Sequence, residues 1–268
     1  MVNSRWTGPF ERGIPNALTI EVEERWHASP SRPEGAPTAH AAVERILDML
    51  AGAGVRATFY VLGAVAERQP EVVRKIRSAG HELGCHGHSH RPVGRRTPDE
   101  FRADLRQGRE ALQDLSGASV DAYRAPDFSV TPACRWALDV LIEEGFVFDS
   151  SIDPSRHDRS GVLPTPVEPY AIRRPAGMLW ELPPPVWPNL SSSRFDLYSL
   201  TRQGLLAANA AGRPFVVSLS SWEFDKQRAP RSAERLNRVV ADFRLASVSE
   251  AIVRWYERAG PSAARPAA

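Results

Sequence analysis

Short apolar runs alternate with longer segments of helical spacing along most of the chain. Ala17-Leu18-Thr19-Ile20 is apolar and turns acidic at Glu21, as a buried parallel strand does where it surfaces at its carboxyl end. Val43, Ile46, Leu47 and Leu50 then follow at helical spacing, with Thr38 as the expected cap and Gly52 and Gly54 as stops. Ala57 to Leu62 reads as the second strand, Ala64 to Ala79 as one helix ended by Gly80, and His81 to Cys85 as a third strand. Thr97-Pro98-Asp99-Glu100 opens a helix reaching about Leu115, with a Thr cap, Pro in the first turn and acids on the positive end of the dipole.

The same alternation continues downstream. Ala122 to Pro126 is a strand surfacing into a loop, Thr131-Pro132 opens a helix stopped at Gly145, and Phe146 to Asp149 is the next strand. Residues 153–177 are rich in Pro and Arg and read as a long loop, a length that is usually functional or mobile. Leu179 to Leu182 and Phe215 to Leu219 are further strands; helices are expected at about Asp196 to Ala211 and Ser249 to Arg258. Strands alternating with helices argue for a mostly parallel sheet. Glu21, Glu23, His86, His90, Arg124, Asp149, Glu181 and Ser220 all fall just after strands, which in a barrel marks the carboxyl-terminal face where active sites sit.

Composition narrows the class. The 268 residues, 42% hydrophobic and 25% charged, suffice for one large core. A net charge of +2 gives no field for steering nucleic acid or a membrane surface. No apolar stretch reaches the roughly 18 to 20 residues of a membrane span, and residues 1–15 hold no apolar signal core. Two cysteines, Cys85 and Cys134, fit reduced thiols, so the expectation is a cytoplasmic protein. No P-loop or dinucleotide glycine fingerprint is present.

His86-Gly87-His88-Ser89-His90 carries the chemistry. Imidazoles four residues apart can face one point if the segment makes a helical turn, and a carboxylate from another strand would complete a two-His, one-carboxylate set of the kind catalytic zinc uses. A Gly-His-Ser-His run can equally be a solvated loop, and Trp180, Trp187 and Trp222 can be core aromatics or sugar-stacking platforms.

The order of these pieces resembles the NodB-type polysaccharide deacetylases (carbohydrate esterase family 4), nearest the subgroup linked to exopolysaccharide loci. Ala17 to Glu23 is similar to that subgroup's opening strand, Gly80 to His90 to its histidine motif, Tyr123-Arg124-Ala125-Pro126 to its arginine motif and Arg156-His157-Asp158-Arg159 to a subgroup loop. The resemblance covers about residues 15 to 255. It implies an α/β fold, a deformed (β/α)₇ barrel in a single domain over residues 16–258, with an N-terminal arm (1–15) and a flexible tail (259–268). It also implies a divalent metal, zinc first and cobalt, nickel or manganese as alternatives, held by Glu23, His86 and His90, with Glu24 a weaker substitute for Glu23 and His88 directed elsewhere.

The implied activity is hydrolysis of an N-acyl amide, foremost N-acetyl, on an amino sugar or small acylated metabolite by metal-activated water. Glu21 stands at the base position and Arg124 at the position that orients it. Two departures matter: the base is usually Asp, and the late motif usually ends in His before Pro-Trp-Glu, where this chain has Ser220-Ser221-Trp222-Glu223. A Ser hydroxyl is far too weak an acid to replace imidazole, and losing such a group typically costs 10²–10⁴-fold. His157 and His27 are the candidates to restore acid function, each also readable as an ordinary surface or core histidine; His27, Asp127, Trp222 and Ser220 are the candidate substrate contacts. The partner expected is a small molecule or oligosaccharide. A catalytically silent binding barrel and a repurposed enzyme performing a non-hydrolytic step are the competing readings.

Overall fold

A computed structural model describes residues 13–29, 31–154, 166–184 and 197–260. Most of the arm and of the tail, His157 with its neighbours, and Trp187 therefore lie outside the described residues. Among the described residues nine strands form one sheet: β1 (Asn16–Val22), β2 (Thr58–Val61), β3 (Glu82–Cys85), β4 (Ala122–Tyr123), β5 (Phe148–Asp149), β6 (Tyr170–Arg174), β7 (Gly177–Glu181), β8 (Val216–Ser220) and β9 (Leu245–Ala246). Their order is β6-β7-β5-β4-β3-β2-β1-β8, with β9 pairing the start of β1. Every pairing is parallel except the β6–β7 hairpin. This is the deformed barrel expected, with its helices wrapped outside.

β1 sits between β2 and β8, and its residues are buried apart from the half-buried Glu21. Leu18, Ile20 and Val22 are fully buried, each burial contributing about 1.5–3 kcal/mol. Because the neighbours are parallel, the carboxyl ends of β1, β2, β3, β4, β5, β7 and β8 share one edge of the sheet. Register places Glu21 opposite Tyr60 on one side and Ser220 on the other.

Several local expectations change. The helix expected over 64–79 is two helices, Gly63–Arg68 and Pro70–Ser78, because Pro70 disfavours helical geometry at the residue before it and Gln69 takes φ −135°, ψ 63°. The segment after Thr131 begins as a short 3₁₀ turn, and the helix proper spans Trp136–Glu143. Residues 170–174, read as loop, form β6. A helix over Ala229–Asp242, absent from the sequence reading, packs Leu236 and Val239 inward. Thr38 does not cap the Ala39–Ala53 helix with its hydroxyl; Glu24 does the capping instead, as described below. Among the described residues, no helix is long and apolar enough to cross a membrane.

Candidate metal centre

Glu23 leaves β1 just past its end, and its backbone is fixed to the end of β8. Ser221 Oγ donates to Glu23 O at 2.9 Å and accepts from Glu23 N at 3.2 Å. The Trp222 indole N–H donates to Glu23 Oε1 at 3.1 Å. Trp222 is thus engaged with Glu23 itself. That leaves Oε2, buried and without a hydrogen-bond partner among the described residues although it lies 2.6 Å from His90 Nε2.

His86 follows β3. Its Nδ1 pairs with the Arg124 carbonyl at 2.9 Å, so Nδ1 carries the proton and donates, and Nε2 presents a lone pair. That Nε2 is also buried without a partner among the described residues. Burial above all, with His90 beside it, pushes the His86 imidazole down to about 3, so it stays neutral and able to coordinate.

His90 completes the set: one ligand atom each from Glu23, His86 and His90 lies within 4.8 Å of the others. Burial would lower His90, but contact with the Glu23 carboxylate outweighs it and raises the pKa; Glu23 is correspondingly held below its usual range despite its own burial. The two imidazoles do not converge through a helical turn. Gly87 has φ 77° and His90 φ 53°, so an irregular loop performs the convergence. His88 points elsewhere, with Nε2 3.1 Å from Gln107 Nε2.

A buried imidazole nitrogen with no partner among the described residues, His86 Nε2, facing a carboxylate oxygen pressed against a second imidazole fits a divalent cation. Glu24 is committed elsewhere. Its carboxylate accepts from Thr38 N, Thr38 Oγ1, Ala39 N and Gln69 Nε2 at 2.8–3.1 Å, closing the first turn of the Ala39–Ala53 helix.

Glu21 stands beside this set. Arg124 Nη1 is 3.4 Å from its Oε1, Ser218 Oγ donates to Oε1 at 3.3 Å, and Ser220 Oγ lies 3.5 Å from Oε2. Burial raises the Glu21 carboxyl, with Arg124 opposing and Glu23 adding to the rise. Arg124 is wholly buried. It also donates to Thr19 Oγ1 (2.7 Å), Ser218 Oγ (3.0 Å), Ser150 Oγ (2.8 Å) and Ser150 O (3.1 Å), and stacks over Tyr60. This surrounding set of hydroxyls escaped the sequence reading, which had no local signal for it.

His27 lies over His90, ring centroids 6.4 Å apart, and its Nδ1 accepts from Glu24 N at 3.1 Å, so the neutral ring carries its proton on Nε2. Asp127 is exposed with φ 56° in the loop after β4. Cys85 is buried, and burial pushes its thiol up to about 12, far from a nucleophile's range.

Comparison with known proteins points the same way. Residues 34–140 match the family described as Polysaccharide deacetylase. YheN of Bacillus subtilis, named for that family, is 32% identical over 115 residues, which is 42% of this chain and 41% of that protein. The peptidoglycan-N-acetylglucosamine deacetylase of Bacillus cereus is 37% identical over 96 residues, 35% of each chain. This chain thus spans less than half the length of these curated relatives. A crystal structure from Mycobacterium smegmatis, named for the same family, superposes with a TM-score of 0.74 at 25% identity, covering 98% of this chain and 95% of that one.

Proposed function

We propose that this chain is a member of the polysaccharide deacetylase family, whose model matches residues 34–140, and that it is a metal-dependent hydrolase removing an N-acyl group, foremost N-acetyl, from an amino sugar or a small acylated metabolite. The observation that carries the reading is the convergence of Glu23, His86 and His90 on one point, with His86 Nε2 buried and unpartnered among the described residues and Glu23 Oε2 held against His90. Those three residues would hold the cation. When bound, it supplies Lewis acidity that polarises the amide carbonyl and makes water easier to deprotonate.

The remaining work falls to the chain's own groups. Glu21, its carboxyl raised by burial, takes the proton of the attacking water, and Arg124 holds that carboxylate in place. Its extra methylene relative to Asp moves the carboxylate by about one bond, and misplacement near 1 Å can cost on the order of 10²-fold. Ser220 and Asp127 are substrate contacts in this reading, as are His27, through its Nε2–H, and the face of Trp222. His157 is the proposed proton donor to the departing amine. A silent, substrate-binding barrel is the second reading, favoured by one observation: β8 ends in Ser220, a hydroxyl too weak to protonate an amine near neutral pH.

The test is acetate release from N-acetylated amino sugars with Zn²⁺ or Co²⁺ added. Metal-stimulated turnover that disappears in Glu21→Gln supports the hydrolase. Stoichiometric metal with no turnover in any condition supports the silent barrel.

A further inference from the structure

Outside the ligand set, the Asp104 carboxylate hydrogen-bonds directly to the histidine loop. Asp104, on the Pro98–Ser116 helix, is only 13% exposed at its side chain. Its Oδ2 accepts from His88 N at 2.8 Å, and its Oδ1 accepts from Ser89 N at 3.1 Å and Ser89 Oγ at 2.7 Å. Arg96 Nη1 lies 2.8 Å from the same Oδ1 and donates from Nη2 to Ser89 Oγ at 2.7 Å, closing the cluster. The other side of the loop is fixed as well: Gly63 N donates to Gly87 O at 2.9 Å and Ala64 N to His88 O at 3.1 Å.

We infer that Asp104 is a positioning residue for the metal centre, its carboxylate gripping the two amides between the ligands so that His86 and His90 face one point. The loop needs such a grip. His90 is a non-glycine residue in the left-handed region, a conformation that is costly for an L side chain and persists only where the surroundings impose it. Space is equally restricted: a Cβ on Gly87 would sit 2.7 Å from Asp104 Oδ2, and one on Gly108 would sit 2.7 Å from Gly87 O. The helix therefore approaches the loop through a glycine and holds it through a carboxylate one turn away. An ionised acceptor bonded to backbone N–H groups makes stronger hydrogen bonds than a neutral one, which suits a carboxylate to this task.

The inference rests on the metal reading, and two measurements separate the failures. In Asp104→Ala, Zn²⁺ affinity by chelator competition is expected to fall about 10- to 100-fold, the range typical when groups that orient a metal site's ligands from outside are lost. The Co²⁺ absorption bands shift as the ligand geometry loosens, while far-UV circular dichroism is retained. Independently of any metal, the His88 and Ser89 amides exchange faster in the apo variant. Asp104→Asn, which keeps the shape and one acceptor, gives an intermediate loss and serves where the alanine variant does not fold. Unchanged affinity together with unchanged exchange at His88 and Ser89 overturns the inference. A wild-type chain that binds no cation instead overturns the metal reading, and the exchange rates alone then decide whether Asp104 grips the loop.

Discussion

Ser220 lies directly across the β1–β8 pairing from Glu21, its hydroxyl 3.5 Å from Glu21 Oε2. The two positions at which the chain departs from the pattern the resemblance implies are therefore neighbours, Glu21 and Ser220 sharing one space.

That adjacency makes the pair non-additive. Ser220→His alone brings an imidazole against the Glu21 carboxylate and recovers little activity. The Glu21→Asp, Ser220→His double variant is expected to raise turnover on N-acetyl amino sugars by about 10²-fold or more, beyond the product of the single effects. Independent, multiplicative effects in the rate assay would contradict the shared space.

Glu23 and Glu24 are adjacent in sequence and separate in role. Glu24→Gln removes the charge that closes the Ala39–Ala53 helix and is expected to lower stability by about 1–2 kcal/mol in urea unfolding while metal stoichiometry stays unchanged. Loss of metal in this variant would contradict the assignment.

Arg124 is a wholly buried cation whose removal leaves Glu21 uncompensated. Arg124→Met is expected to cost about 3–5 kcal/mol by chemical denaturation. Arg124→Lys keeps the charge but loses the planar fork that reaches Thr19, Ser150 and Ser218 together, so it too is destabilised. A change below 1 kcal/mol in both would show that the hydroxyl cage is not held by the guanidinium.

Asp149 and Glu181 are register partners on β5 and β7, both wholly buried. Burial first pushes Asp149 up to about 6 and raises Glu181, which also feels Asp149 beside it. A carboxyl whose folded-state pKa exceeds its unfolded value keeps its proton longer when folded. Its stabilising effect is complete below the unfolded value and is lost as pH rises to the folded one. For Asp149 that window runs from about 4 to about 6. Asp149→Asn removes this loss, so its stability relative to wild type should rise by about 1–3 kcal/mol between pH 4 and pH 7. A difference independent of pH, read from urea midpoints, would contradict the account.

Much of the site was legible because parallel strands deliver their ends to one edge. Glu21, His86, Arg124 and Ser220 could be placed there from apolar runs that turn polar. The choice of Glu23 over Glu24 needed the family likeness, since both follow the same strand; the structure separates them by partner. Asp104 was invisible because a single Asp in a charged helix carries no local sign of a loop that folds onto it from outside the helix. β6 was hidden in a stretch dominated by Pro and Arg, and the Ala229–Asp242 helix has only a narrow apolar stripe, Leu236 and Val239, among polar residues. The break at Pro70 was readable from proline chemistry and was missed because the apolar spacing continues across it.

The most direct test of the central claim is the metal content of the purified chain after equilibration with Zn²⁺ and desalting. The account predicts about one bound ion per chain in wild type, and a loss of at least about tenfold in affinity for His86→Ala and for Glu23→Gln, with both variants folded. A folded wild type that retains no ion, or variants that retain it as tightly as wild type, would contradict it.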